Sequence, residues 1–357
     1  MLFNSFPFIL FFVVVSVSYY LLSHRYRWFL LLAASCYFYM AFVPKYILIL
    51  FFTIVVNYCA GILLEKYTKS YERTFVLIST VCIDIAILGF FKYFNFFVEN
   101  VNALAQFLNF NYSLTFLSII LPLGLSFHTF QALSYVIEVY RGNQRAERHF
   151  GIYSLYVMYY PQLVAGPIER PQNLLHQFHS IKKFDPHTVT YGLKRMAWGF
   201  FKKTVVADHL AIIVGVVYAN PQAFDGPTLI FATVLFAFQL YCDFSGYSDI
   251  AVGSSRVLGI TLMENFERPY FSKSIAEFWR RWHISLSSWL RDYVYYPLVR
   301  STNHLTRAKL YCATIITFLI SGLWHGASWG YVCMGALFGI YIVSAEITKQ
   351  WKAKMLD

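Results

Sequence analysis

The chain has 357 residues, of which 58% are hydrophobic, 20% aromatic and only 13% charged, against about 25% charged in an ordinary soluble domain. With a mean hydropathy of +0.51, this composition excludes a soluble globular enzyme, a disordered chain and a secreted disulfide scaffold, and points to an all-α polytopic membrane protein. The formal net charge of +11 then reads as basic cytoplasmic loops rather than a nucleic-acid surface, and no nucleic-acid role is expected.

Apolar runs long enough to cross or nearly cross a bilayer lie at about 5–22, 28–43, 46–64, 75–94, 115–138, 205–219, 228–246, 309–324 and 331–346; a crossing helix needs about 20 such residues. The first run has no preceding Lys or Arg and no small-residue cleavage site, so it is expected to be a retained helix and not a signal peptide. Arg25 and Arg27 follow it, residues 43–46 hold only Lys45, and the next loop carries Lys66, Lys69 and Arg73. Residues 99–113 have no basic residue, Arg141, Arg145 and Arg148 follow the fifth run, and 169–203 is basic. Residues 220–227 are free of basic residues, 268–309 is strongly basic, and the tail carries Lys349, Lys352 and Lys354. This alternation predicts an extracytoplasmic N-terminus. Pro122 and Gly124 interrupt the fifth run, and the mixed stretches 150–168 and 247–300 suggest re-entrant or interfacial helices. The six cysteines form no CxxC pair and read as small buried hydrophobes. With no repeat or linker, residues 1–357 are taken as a single transmembrane domain.

Polar side chains inside apolar segments are costly and are candidates for function. His325 lies in Ser321-Gly322-Leu323-Trp324-His325-Gly326, 16 residues beyond Lys309, which is about 24 Å of helix and sets it at or beyond the middle of the bilayer. A neutral imidazole there can take a proton from a hydroxyl, or simply bond a neighbouring helix. Over 277–292, Trp279, Trp282, Leu286 and Trp289 fall on one face of a predicted basic amphipathic helix, with Arg280 and Arg281 beginning its flank and His283 beside the aromatic face. This is an interfacial anchor or a cationic surface for an anionic donor or an acidic acyl carrier protein. Asp243, Ser245 and Asp249, with Gly246 among them, suit either a break lining a polar cavity or a helix-end cap. Residues 161–170 carry Pro161, Gly166 and Pro167, which argue for a re-entrant loop, with Glu169 and Arg170 as a surface ion pair. Asp84, His128 and Glu138 are expected to make structural contacts. There is no HExxH, GxSxG, Walker A or GxGxxG pattern, and the 42-residue spacing of His283 and His325 gives no ground for a metal site.

Trp282-His283-Ile284-Ser285-Leu286-Ser287, followed by Trp289-Leu290-Arg291-Asp292-Tyr293, together with Ser321-Gly322-Leu323-Trp324-His325-Gly326, resembles the membrane-bound O-acyltransferase family, in its bacterial alginate O-acetyltransferase branch. Leu121-Pro122-Leu123-Gly124-Leu125-Ser126-Phe127, Thr129-Phe130-Gln131-Ala132-Leu133-Ser134-Tyr135, Ala165-Gly166-Pro167-Ile168 and Asp243-Phe244-Ser245-Gly246-Tyr247-Ser248-Asp249 extend the likeness. The resemblance implies a helical bundle around a trans-bilayer tunnel, with His325 as the principal catalytic residue and His283 as a second site residue. It implies a cytoplasmic thioester donor, acetyl-CoA or an acyl carrier, with no bound cofactor. It further implies an acceptor polysaccharide outside the bacterial inner membrane and extracytoplasmic acetyltransferase partner proteins, in a setting of membrane lipids. Trp279, Arg280, Arg281, Trp282, Ser285, Asp243, Ser245, Asp249 and Trp324 are then candidates for donor or substrate binding. His128 stands where an aromatic is expected, and the chain ends 32 residues after His325, so truncation at the C-terminus is expected. The alternatives are D-alanyl transfer to teichoic acid, and a transporter or scaffold of polysaccharide export.

Overall fold

The computed structural model describes residues 3–110, 113–118, 121–163, 166–300 and 306–356; Ala165 and the side chains of Lys352 and Lys354 lie outside the described residues. In chain order the helices are α1 (Phe6–Leu21), α2 (His24–Met40), α3 (Ile47–Lys66), α4 (Ser70–Phe107), α5 (Leu125–Arg141), α6 (Phe150–Met158), α7 (Pro171–His179) and α8 (Pro186–Phe200). A π-helical turn, Phe201–Ala207, leads from α8 into α9 (Asp208–Ala219), followed by α10 (Gly226–Val257), α11 (Ile275–Arg281) and α12 (Ile284–Leu290). A second π-helical turn, Arg291–Tyr295, leads into α13 (Tyr296–Arg300), and α14 (Arg307–His325) and α15 (Trp329–Leu356) complete the chain. Among the described residues there is no strand, only an isolated bridge between Phe266 and Trp282. This is an all-α, multi-pass membrane protein.

Among the described residues, five segments are long and apolar enough to cross a membrane: Pro44–Lys66, Ser70–Phe107, Gly226–Val257, Arg307–His325 and Trp329–Lys349. Their outward faces carry exposed apolar side chains such as Phe51, Ile85, Phe231 and Ile340, the surface expected of helices in lipid. Three predicted runs take other forms. α2 starts at His24 and takes Arg25 and Arg27 into its first turns. The run at 115–138 is not one span, because its helix starts only at Leu125, after Pro122 and a left-handed Gly124 (φ 72°). The run at 205–219 yields a 12-residue α9. The cysteines are free, yet only Cys242 is buried; Cys59, Cys82, Cys312 and Cys333 are exposed on apolar helices.

The described chain forms two compact units, one of Met1–Leu77 and Gln131–Asn265, the other of Ile78–Phe130 and Phe266–Asp357. In the first, Tyr135, Tyr153, Tyr156, Tyr159 and Tyr160 are fully buried around α6. Asp185 caps α8, accepting from the amides of His187 and Thr188 at 3.2 and 3.1 Å. α8 and α10 approach at backbone distance: a Cβ at Gly199 would sit 2.7 Å from the carbonyl of Gly246, and one at Gly192 2.7 Å from that of Gly253. Gly246 is thus a contact residue in an uninterrupted 32-residue α10. It marks neither a break nor a helix end, and Asp243 and Asp249 lie within the helix rather than capping it. Glu138 receives bonds from Arg141, Asn143 and Gln172 at 3.1, 2.9 and 2.6 Å, the structural role expected of it.

Candidate active site

The second unit carries both candidate histidines. α14 is capped at its start by Thr306, whose hydroxyl accepts from the amide of Lys309 at 3.3 Å, and stops at His325 because Gly326 is extended (φ −169°, ψ 153°). A helix end leaves its last carbonyls without intrahelical partners. Two consecutive residues of α4 meet that need. The Tyr93 hydroxyl donates to the carbonyl of Leu323 at 2.6 Å, and the Lys92 ammonium donates to that of Trp324. A cation at this end also complements the helix dipole. The motif glycines serve α15: a Cβ at Gly322 would collide with the carbonyl of Tyr331, one at Gly326 with the Tyr331 ring, and one at Gly335 with the carbonyl of Phe318. His325 is thereby fixed between a capped helix end and a tightly packed neighbour.

His283 is reached differently. Ser274 caps α11 by accepting from the amide of Glu277 at 3.2 Å, and Glu277 pairs with Arg281 at 2.6 Å. The helix then breaks at Trp282, which is held by the bridge to Phe266 and by the Glu267 amide donating to the Arg281 carbonyl at 2.9 Å. His283 adopts a left-handed conformation (φ 44°, ψ 55°) at the start of α12, a costly state for a non-glycine residue. The single amphipathic helix predicted over 277–292 is therefore two short helices set off by this residue, and its tryptophans separate. Trp282 packs on Phe266 and Phe278, Trp289 stacks on Phe130 at 3.8 Å and donates to its carbonyl at 2.9 Å, and Trp279 packs on Phe318 and Phe338.

Trp324 packs beside both histidines. Its ring centroid lies 5.7 Å from that of His283 and 5.0 Å from that of His325. His283 is buried, and that burial, with His325 nearby, holds its imidazole well below the ordinary range, so it is neutral at physiological pH. His325 and Trp324 line a cavity of about 170 Å³ together with Lys92, Ser126 and Phe127. A larger cavity of about 360 Å³ is lined by Trp279, Arg280, Ser287, Ser288, Arg291 and Ser321, among others. Of the remaining candidates, Arg281 is engaged by Glu277, Trp282 lies in an aromatic cluster, and Ser285 is fully buried. Lys92 and Tyr93 escaped the sequence reading, and Ser126 entered it only as part of a motif of the resemblance. The signal for Lys92 was an ammonium inside the apolar run 75–94.

Asp243, Ser245 and Asp249 belong to the first unit, in a ladder of charges. Lys203 pairs with Asp243 at 2.6 Å and with Asp208 at 2.7 Å. Lys202 pairs with Asp249 at 2.6 Å and donates to Ser245 at 2.9 Å, and Arg195 reaches Asp249 at 3.1 Å and also Glu264. Two of these cations lie on the π-helical turn between α8 and α9, whose wider winding brings Lys202 and Lys203 side by side toward α10. Glu169 is likewise not on the surface. It is fully buried, accepting from the amide of Met263 and the side chain of Asn173, both at 2.5 Å, and burial pushes its carboxyl up to about 7.

Residues 149–355 match the model of the membrane-bound O-acyltransferase family, MBOAT. The chain is 39% identical over 350 residues to the probable alginate O-acetylase AlgI of Azotobacter vinelandii, covering 96% of this chain and 68% of the relative. It is 33% identical over 337 residues to the peptidoglycan O-acetyltransferase of Helicobacter pylori (87% and 62% covered). It is also 33% identical over 251 residues to the teichoic acid D-alanyltransferase of Streptococcus thermophilus (65% and 58% covered). The chain spans about two thirds of the length of these alginate O-acetylases. The chain belongs to the membrane-bound O-acyltransferase family.

Proposed function

We propose that this protein moves acetyl groups from a cytoplasmic thioester donor toward hydroxyls of an exported polysaccharide such as alginate, with His325 as general base. The observation that carries this reading is the placement of His325. It ends a 19-residue apolar helix, about 28 Å long at 1.5 Å per residue, at the wall of a cavity that also holds a cation and a hydroxyl. With the basic start of α14 on the cytoplasmic side, the imidazole sits deep in the bilayer, where a donor from one face can meet an acceptor from the other along a tunnel. His325 takes the proton of the acceptor hydroxyl as its oxygen attacks the thioester carbonyl. His283, neutral and buried, positions the donor or assists the proton's movement, and Trp324 packs beside both imidazoles. Trp279 and Arg280, on the larger cavity, are placed to hold the acyl donor, acetyl-CoA or an acyl carrier protein.

In this reading residues 1–357 act as one membrane domain in the bacterial inner membrane, with the N-terminus outside and with extracytoplasmic acetyltransferase partners completing transfer. The test is ester-linked acetate on the exported polysaccharide, compared between the native chain and His325→Ala at equal membrane abundance. General bases contribute about 10²–10⁴-fold, so acetate should all but vanish. Unchanged acetate sinks the reading and favours a scaffold. D-alanyl esters on teichoic acid in place of acetate would instead place this chain's activity with that of the Streptococcus relative.

A further inference from the structure

The cavity beside His325 holds a cation that proton abstraction leaves unused. Lys92 lies on α4, within a segment apolar enough to cross the membrane, where an ammonium is expensive unless it has partners and a purpose. Its hydrogen-bond partners are the carbonyl of Trp324 and, at 3.4 Å, the hydroxyl of Ser126, and the rings of Trp324 and Tyr93 lie 5.5 and 5.8 Å from the ammonium. An ammonium carries three N–H donors, and these two hydrogen bonds engage two of them, in a group that lines the same cavity as His325. Capping the last turn of α14 does not by itself demand a charge. Tyr93, the next residue, caps the preceding carbonyl at 2.6 Å with a neutral hydroxyl. A full positive charge is the costlier device, and it sits at the cavity wall rather than on the lipid side.

We propose that Lys92 stabilises the negative charge that develops on the acyl carbonyl oxygen during transfer; this rests on the reading of His325 as base. As the acceptor oxygen bonds to the acyl carbon, its proton passes to the His325 imidazole and the carbonyl π electrons move onto oxygen, against the ammonium of Lys92. Collapse restores the carbonyl, breaks the carbon–sulfur bond and releases the thiolate, which takes the proton back from the imidazolium. Charge preorganised at a developing oxyanion in a dry site is among the largest catalytic effects available to a protein.

The test uses cells producing the full chain, reading the initial rate of ester-linked acetate gain on the exported polysaccharide at matched membrane abundance, with thermal unfolding of the solubilised proteins alongside. Lys92→Gln keeps a donor for the Trp324 carbonyl but removes the charge, whereas Lys92→Arg keeps the charge. The expected result is a loss of about 10²-fold for Lys92→Gln and Lys92→Met, with Lys92→Arg restoring most of the rate; Lys92→Gln and Lys92→Arg unfold near the wild-type temperature, whereas Lys92→Met, which also loses the bond to the Trp324 carbonyl, unfolds somewhat below it. A Lys92→Gln protein within about threefold of wild type, far short of the loss an oxyanion donor causes, leaves Lys92 as a helix cap and overturns the proposal. So does a rate loss in Lys92→Met that tracks a lowered unfolding temperature and is relieved equally by Gln and Arg. His325→Ala is run in parallel: if it retains acetate, the general-base reading fails and takes this one with it, whereas active Lys92 variants beside an inactive His325→Ala defeat only the role of Lys92.

Discussion

Lys92 and Trp324 stand 232 positions apart in the chain, yet the ammonium of the first donates to the backbone carbonyl of the second. That bond ties α4 to the last turn of α14, one residue before the candidate base. The position of the imidazole therefore depends on two helices, and disturbing the tie should be felt in stability and in turnover to different degrees.

Tyr93→Phe separates the two. It deletes the 2.6 Å bond to the Leu323 carbonyl and leaves the charge of Lys92 in place. We expect a stability loss of about 1 kcal/mol, the ordinary worth of one such bond, with acetate transfer within a few-fold of wild type. Unfolding of the solubilised protein and the acetate assay check the two halves.

The motif glycines make a second test. Gly322→Ala drives a methyl into the Tyr331 carbonyl, while Gly326→Ala drives one into the Tyr331 ring. Backbone cannot step aside without moving the helix, whereas a side chain can be cut away. Tyr331→Ala should therefore relieve much of the damage of Gly326→Ala and little of that of Gly322→Ala, measured as folded protein in membranes. Equal rescue of both would contradict this packing.

His283 predicts an inverted order. Within a helical segment glycine is normally worse than alanine by about 1 kcal/mol. At φ 44° glycine fits and alanine is strained, so His283→Gly should be more stable than His283→Ala by about 1 kcal/mol, with both poor in acetate transfer. Finding alanine the more stable would show that this residue does not keep its left-handed conformation.

Asp249 is a candidate for donor binding in the sequence and a partner of Lys202 and Arg195 in the fold, which suggests an experiment. Asp249→Asn leaves Lys202 buried against a neutral partner, at a cost of about 3–5 kcal/mol. The double variant Lys202→Met, Asp249→Leu removes both charges and should regain most of the lost stability. Acetate transfer in the double variant then decides between a structural pair and a substrate ligand, since only the former tolerates the exchange.

Glu169 gives a pH dependence. Its carboxyl, ordinarily near 4.5, is pushed up to about 7 by burial. A carboxyl raised in the folded state contributes stability that is complete below its unfolded value and is lost as pH climbs through 7. The slope from this one group reaches at most about 1.4 kcal/mol per pH unit. Between pH 5 and pH 8 the native protein should lose unfolding temperature that Glu169→Gln does not lose.

The sequence reading succeeded where the physics is local and failed where it is tertiary. Lipid-facing helices announce themselves by composition, and the helix that ends at His325 follows the apolar run that starts just after Lys309. The break at His283 did not announce itself, because Trp279, Trp282, Leu286 and Trp289 keep helical spacing whether or not the chain turns between them. The left-handed residue follows directly on Trp282, which is bridged to Phe266, 16 residues upstream of that tryptophan. The ion pairs of Asp243 and Asp249 were hidden for a similar reason: their partners Lys202, Lys203 and Arg195 lie about 40 to 54 positions away in the chain, and Gly246 looked like punctuation when it is a point of contact. Lys92 was visible as a charge in an apolar run, but its meaning required knowing which helix end it faced.

The backbone contact between α14 and α15 at Gly322 and Gly335 also decides which wall of the cavity can yield. Two helices meshed that closely behave as one rod, and Lys92 and Tyr93 rivet α4 to its tip. On the proposed reading, a bulky substrate entering beside His325 is accommodated by the rest of the lining, where Pro122 and the left-handed Gly124 precede α5. Stiffening that short stretch, rather than altering any histidine, is the change that would make this cavity choosy about the size of what it admits.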